Sequence, residues 1–289
     1  LSVGESKVSV SFHGVRGSTA CHDHQTHRYG GNTSCVSLQA KNQNPIIFDL
    51  GTGLRYMGGQ NIEAEAKPFV GACLLTHLHW DHVQGLPFFK SLLREETVLD
   101  IYAPKQEDGR NLRELFLKKI GPPIFPISLD EFHAQINFHE IGDDDFMIGS
   151  TKITSRFVPH VGPTLGFRVT SENIAVTYLP DHQQPVGNFS ITGAARQLCQ
   201  GTDLLIHDSQ YTPAEFETKS DWGHSTLEFA MWVAETTSAK KLALFHHDPS
   251  RTDDALDVIA QRLAVAAKNR GFEVFAAADG LTVEVCGVV

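Results

Sequence analysis

At 289 residues, with 41% hydrophobic and 20% charged side chains, the chain has the make-up of a globular protein with ample core for one large domain or two small ones. Its net charge of −10 argues against a surface that grips nucleic acid throughout, and it holds no apolar run of the roughly 18 residues a membrane span requires. The start, Leu1-Ser-Val-Gly-Glu-Ser-Lys-Val8, has no charged segment leading into an apolar one, and Cys21, Cys35, Cys73, Cys199 and Cys286 are scattered. No signal peptide and a cytoplasmic protein with reduced thiols are therefore expected.

In chain order, strands are predicted at Lys7–Phe12, Ser34–Gln39, Pro45–Phe48, Val70–Leu75, Val98–Tyr102 and Gln135–His139. Helices are expected over Gly85–Arg94 and Arg110–Lys119. Gly121-Pro-Pro-Ile-Phe-Pro126 excludes regular structure. It reads either as a lid exposing Ile124 and Phe125 or as a loop packed passively on the core. Gly142-Asp-Asp-Asp145 reads as a solvated turn. Strands at Thr151–Val158, Leu165–Thr170, Ile174–Tyr178, Leu204–His207, Leu242–Phe245, Glu273–Phe275 and Leu281–Val285 follow. Helices at Gly193–Gln200, Thr226–Thr236 and Asp253–Arg270 alternate with them. The last carries Leu256, Ile259, Ala260 and Leu263 at helical spacing behind Asp253 and Asp254. Strands dominate the first half and strand–helix alternation fills the second, which predicts two packed sheets with helices outside.

The densest chemistry lies in Leu75-Thr-His-Leu-His-Trp-Asp-His-Val-Gln-Gly-Leu86, directly after a strand. His77 and His79 are two apart and share a side in extended backbone; Asp81 and His82 come from the following turn. Imidazole nitrogens and a carboxylate at this density suit zinc or a similar transition metal, and have little other use at a strand end. Further ligand-type residues stand at later strand ends: His160, Asp181 and His246, with His182 and His247 as adjacent competitors. A carboxylate has two oxygens for two metals, which favours Asp181 over His182 as a bridge.

This H-x-H-x-D-H cluster followed by His, Asp and His resembles the metallo-β-lactamase superfamily. The resemblance runs from about Phe12 to Pro249 and implies an α/β fold, an αββα sandwich of two mixed β-sheets flanked by helices, with residues 1–289 as one hydrolase domain. It implies two divalent ions, zinc first, with manganese or iron(II) equally served by such ligands. His77, His79 and His160 would hold one ion, Asp81, His82 and His246 the other, and Asp181 would bridge. Asp49 in Ile47-Phe-Asp-Leu-Gly51 looks like the early aspartate that braces the metal loop without being a ligand.

The superfamily cleaves β-lactams, thioesters, lactones and phosphodiesters, so the fold alone does not choose. Asp203-Leu-Leu-Ile-His-Asp-Ser-Gln-Tyr211 with Trp222-Gly-His-Ser-Thr226 resembles the phosphodiesterase branch that contains tRNA 3′-processing endonucleases. Asp208 and His224 fill the places of its acid–histidine pair, although the endonucleases carry glutamate at the first. For His224 the alternative is a helix-entry residue ahead of the cap candidates Ser225 and Thr226. Gly14-Val-Arg-Gly-Ser18 and Arg28-Tyr-Gly-Gly-Asn-Thr-Ser-Cys35 look like small bacterial cyclic phosphodiesterases. There Arg16 could meet a phosphate, and Gly14, Gly17, Gly30 and Gly31 either admit close approach or make a structural turn. The long basic arm of the tRNA-processing enzymes has no counterpart. Cys21-His-Asp-His-Gln-Thr-His27 is a solvated loop, a pocket rim or a third metal site.

The expected activity is hydrolysis of a small anionic cyclic phosphodiester. Asp81 and Asp181 would orient the metal-activated nucleophile, and His224, held by Asp208, would protonate the leaving alkoxide. The rivals are an RNA endonuclease of the same branch, an ester, lactone or thioester hydrolase, and a metal-loaded sensor without turnover. No membrane contact and no extensive nucleic-acid surface are expected; a homodimer is.

Overall fold

Alternation along Lys7–Gly14 (β1) sets the architecture. Val8, Val10 and Phe12 are buried, while Ser9, Ser11 and His13 are only partly covered, the period of two that turns one face to a core. The computed structural model describes residues 7–57 and 67–287; the first six residues, which enter the leader reading, lie outside them. Among the described residues no helix is long and apolar enough to cross a membrane.

β1 pairs antiparallel with Cys35–Ala40 (β2) and with Thr282–Cys286 (β14). The sheet continues through Ile46–Phe48 (β3), Val70–Leu74 (β4), Val98–Pro104 (β5) and Gln135–Ile141 (β6), in the order β14-β1-β2-β3-β4-β5-β6. A second sheet is built from Asp145–Ile148 (β7), Thr151–Phe157 (β8), Leu165–Ser171 (β9), Ile174–Leu179 (β10), Leu204–Asp208 (β11), Lys241–Phe245 (β12) and Glu273–Ala276 (β13). Its order is β13-β12-β11-β10-β9-β8-β7. Both sheets are mixed: β3 to β6 and β10 to β13 run parallel, the rest antiparallel.

The inner core joins the faces of the two sheets, with Phe12, Leu38 and Phe48 meeting Phe167, Tyr178 and Phe245. Leu112–Lys119 (α2) covers the outside of the first sheet through Leu112 and Phe116. Gly193–Cys199 (α3), Leu227–Thr236 (α5) and Asp253–Arg270 (α6) cover the second. The result is the expected αββα sandwich.

Local differences have local causes. Gly85–Arg94 is not one helix but two 3-10 turns, Leu86–Phe88 and Lys90–Leu93, behind the single turn Trp80–Val83 (α1). Pro87 donates no hydrogen bond, and the buried residues Leu86, Phe89 and Leu92 recur every three positions, the 3-10 period. The acidic run Gly142–Asp145 is tied down, not merely solvated: Asp143 accepts from the Phe157 amide at 2.7 Å, and Asp145 opens β7 and accepts from Thr154 at 2.6 Å. In the proline-rich segment Ile124 is exposed, but Phe125 packs edge-on against Phe88 at 5.7 Å, so half of the lid reading fails. A helix not expected from the sequence, Pro213–Lys219 (α4), starts at Thr212, whose side chain and that of Glu215 cap each other's backbone amides. That capping box with proline at the first helical position was legible in Thr212-Pro-Ala-Glu215.

His13 on β1 sits against Ser37 at 2.8 Å, and burial lowers its pKa to about 4. Between pH 6.5 and 4 the unfolded chain takes up a proton that the folded chain refuses. Stability from this group is full above pH 6.5 and falls as the pH drops, by on the order of 2 kcal/mol. Urea midpoints of wild type and His13→Gln, measured from pH 7 to pH 4.5, should diverge, with the wild type losing more.

Candidate metal centre

The donor side chains all come from one edge, where strands of both sheets end. His77 and His79 follow β4, and Asp81 and His82 lie on α1; His160 follows β8, Asp181 follows β10 and His246 follows β12. Among the described residues the edge holds five overlapping triplets whose donor atoms lie within 4.8 Å of one another, including His77–His79–His160, His77–His82–Asp181 and Asp81–His82–His246.

Four of the five imidazoles are aimed by a bond on the far side. Thr76 gives its hydroxyl hydrogen to Asp49 and so accepts from His77 Nδ1 at 3.0 Å. His82 Nδ1 donates to Asp49 at 2.8 Å, His160 Nδ1 to the Gly223 carbonyl at 2.7 Å, and His246 Nδ1 to Gln210 Oε1 at 2.9 Å. With Nδ1 protonated, Nε2 turns a bare lone pair inward. His79 presents Nδ1 instead, 3.2 Å from His160 Nε2. His77 Nε2, His82 Nε2 and Asp181 Oδ2 are buried without a hydrogen-bond partner. Converging lone pairs of this kind are costly unless a cation answers them, and the nitrogen and oxygen donors suit zinc or a similar ion.

Asp181 lies across the middle. Its Oδ2 is 3.1 Å from His82 Nε2 and 3.5 Å from His246 Nε2, and its Oδ1 is 3.7 Å from His160 Nε2. Asp81 Oδ2 sits 3.3 Å from both His82 and His246 and accepts from the Ser18 amide at 2.8 Å. The electrostatics split accordingly. Burial holds the pKa of His77, His79 and His160 below the ordinary value, which keeps their lone pairs free. At His82 burial works the same way, but Asp81, Asp181 and Asp49 override it and raise the pKa well above normal. The field that would keep a proton there would also hold a divalent cation.

Beside this cluster His224 Nδ1 meets Asp208 Oδ2 at 3.0 Å and lies 3.6 Å from Asp181 Oδ1. Asp208 is fully buried and accepts from the His182 and Gln210 amides. Burial opposes a charge on His224, yet Asp208, through its charge and hydrogen bond, and then Asp181 raise the pKa. His224 does precede a helix, but the cap is Thr226 alone; Ser225 binds the His182 carbonyl.

A family model described as a beta-lactamase superfamily domain matches residues 46–247. The chain belongs to that superfamily. Curated relatives include a ribonuclease Z of Anoxybacillus flavithermus, 25% identical over 75% of this chain and 81% of its own. A ribonuclease Z of Streptococcus mutans is 27% identical over 73% and 84%. Among solved structures, the metallo-beta-lactamase fold protein YhfI of Bacillus subtilis superimposes with a TM-score of 0.69 at 19% identity, over 97% of this chain and all of its own. The short form of human tRNase Z gives 0.65 at 22%, over 95% and 98%. A diphosphatase of the PhnP family gives 0.67 at 18%, over 97% and 99%. The solved structures share this fold, and the curated relatives matched here are ribonuclease Z proteins.

Within this beta-lactamase superfamily site the neighbouring competitors turn away. His247 donates from Nε2 to the Ala277 carbonyl at 2.9 Å, and His182 pairs with His207 at 2.9 Å behind Asp208. Arg16 corrects its expectation. It is fully buried, with Nε on the Gly30 carbonyl, Nη1 on those of Asp248 and Arg251 and Nη2 3.9 Å from Asp253, so it ties loops together instead of facing the open surface. Gly17 next to it has the close-approach role: a Cβ there would stand 2.4 Å from His246 Nδ1. The loop Cys21–His27 contributes to none of the donor triplets among the described residues; Asp23 caps its own turn through the Gln25 amide.

Sequence reasoning passed over the residues that aim the donors. Gln210 holds His246 and reaches Ser18 Oγ at 3.2 Å, and Ser18 in turn holds Asp81, which closes a ring around one half of the site. Both residues stood inside motif strings, but an amide and a hydroxyl carry no ligand signal. Asp49 meets its expectation by bonding Thr76, His82 and Tyr178. Asp49→Ala leaves three buried partners unanswered. It should cost about 3 kcal/mol of stability and weaken metal binding roughly 10- to 100-fold, read by denaturant unfolding and by zinc competition with a chelator.

Proposed function

We propose that this chain is a dinuclear metal-dependent phosphodiesterase that hydrolyses a small cyclic phosphodiester, a cyclic nucleotide or a cyclic ribose phosphate. The observation that carries the reading is the Asp208–His224 pair at 3.0 Å, set against the Asp181 end of the donor cluster. The seven donors assigned to the ions leave His224 over, a buried, carboxylate-held imidazole in place for proton transfer.

His77, His79 and His160 would hold one ion, Asp81, His82 and His246 the second, and Asp181 would span both. Divalent ions held there, zinc first, would supply Lewis acidity and an activated water. The protein's own part is positioning and proton transfer. Asp81 and Asp181 orient the nucleophile through their carboxylate oxygens. Asp208 fixes the ring of His224 and stabilises its charged form, leaving Nε2–H to protonate the departing alkoxide. The net charge of −10 favours a small substrate over a long polyanion. RNA cleavage is the second reading, favoured by the ribonuclease Z relatives. The reading treats the chain as one hydrolase domain of the cytoplasm, in keeping with five free cysteines. It also carries a homodimer, which sedimentation would register as a doubled mass.

The test is turnover of bis(p-nitrophenyl) phosphate by zinc- and manganese-reconstituted protein, with Asp81→Ala as blank. His224→Ala should lower kcat by roughly 10²- to 10⁴-fold with metal content unchanged. A sensor would show no turnover and at most an affinity change, and an ester, lactone or thioester hydrolase would spare the variant. Two bound metal equivalents without phosphodiester turnover would sink the reading.

A further inference from the structure

His182, Gln183 and Gln184, directly after Asp181, are not donors, yet they bond four consecutive residues of the segment that carries His224. The Gly223 amide donates to Gln183 Oε1 at 2.6 Å, and the Gln184 amide donates to the His224 carbonyl at 3.2 Å. Ser225 gives its hydroxyl hydrogen to the His182 carbonyl. Thr226 gives both its amide, at 3.0 Å, and its hydroxyl, at 2.6 Å, to Gln184 Oε1. His224 is therefore pinned along the chain from both sides, at Gly223 before it and at Thr226 after it.

The glutamines are themselves fixed. Gln183 places its backbone amide on the Pro159 carbonyl and its side-chain Nε2 on the carbonyls of Gln184 and Ser220, all at 2.7 Å. Gln184 is buried. An amide oxygen suits this work because it accepts from a backbone N–H and brings no further charge beside Asp181 and Asp208. What the clamp sets is a distance. His224 Nδ1 lies 3.0 Å from Asp208 Oδ2 and 3.6 Å from Asp181 Oδ1. Bonds made to the backbone around the imidazole hold it there without consuming Nε2, the nitrogen that the leaving group needs. Position matters steeply, since a misplacement of about 1 Å in a reacting group costs on the order of 100-fold in rate. The same segment also backs a donor, because His160 Nδ1 donates to the Gly223 carbonyl at 2.7 Å.

We propose that Gln183 and Gln184 are positioning residues for His224, a clamp that fixes the general acid to the short segment bearing the Asp181 carboxylate. The inference rests on the phosphodiesterase reading and deepens it. Both glutamines act on the reaction only through His224.

Gln184→Met and Gln183→Met roughly keep the volume and remove the acceptor oxygen. Their rates are compared with wild type at equal zinc, and again with zinc in excess, on two substrates. One is bis(p-nitrophenyl) phosphate; the other is diphenyl phosphate, whose phenolate is the poorer leaving group and leans more on the proton. Each variant should lose roughly 10- to 100-fold in kcat on diphenyl phosphate, with a smaller loss on the nitrophenyl ester and KM little changed. Gln184→Glu keeps an acceptor oxygen and should retain most of the rate. Unchanged kcat in both methionine variants, equal losses on the two esters, or an equal loss in Gln184→Glu overturns the inference. Recovery of the rate in excess zinc overturns it too, and assigns the clamp to His160. Each of these results leaves the phosphodiesterase reading standing. Should wild type turn over neither ester, that reading fails, and proton NMR of the zinc-loaded protein decides the clamp. The low-field resonance of the His224 Nδ1–H bonded to Asp208, assigned by its loss in His224→Gln, should shift or vanish in Gln184→Met. An unmoved resonance overturns the clamp as well.

Discussion

One buried carboxylate holds the two halves of this protein in register. Asp49 is fully buried just past the end of β3, in the left-handed region at φ +57°, a conformation that aspartate tolerates better than most side chains. From there it accepts the amide and hydroxyl of Thr76, the Nδ1–H of His82 and the hydroxyl of Tyr178. Thr76 and His82 belong to the loop after β4, whereas Tyr178 comes from β10 of the opposite sheet. A single side chain thus ties the metal loop to its own sheet and to the facing one. Losing any partner would leave a polar group stranded where water does not reach.

The rest of the site follows from that anchoring. With His82 and His77 held from behind, their lone pairs converge on Asp181, which arrives two residues after β10 ends. His246 and Ser18 also take positive φ, at +59° and +61°, and Gly17 gives His246 room that no larger residue would. Gln210 and Ser18 then link His246 to Asp81. The donors are pre-aimed by hydrogen bonds made on their outer sides, an arrangement that spares an incoming ion most of the cost of ordering them.

Chemistry of two kinds meets along this edge. Toward the interior the imidazoles are kept neutral by burial, or in the case of His82 and His224 pushed the other way by adjacent carboxylates. Toward solvent the donor set is exposed at His79.

The sequence by itself determined the donor set and the architecture. His77, His79, Asp81 and His82 lie within six residues, and period-two burial in strands such as β1 follows from pleat geometry, so both could be read without coordinates. What tertiary structure decided was direction. Arg16 looked like a phosphate contact because arginine suits phosphate, yet it is fully buried and gives Nε and Nη1 to the carbonyls of Gly30, Asp248 and Arg251. Two of those carbonyls lie more than 200 positions away along the chain. Gln210, Ser18 and Tyr178 were invisible as site residues because their roles exist only through partners distant in sequence. Residue type and local spacing fix which atoms can bind. Which way those atoms point depends on contacts made only when the two sheets close on each other.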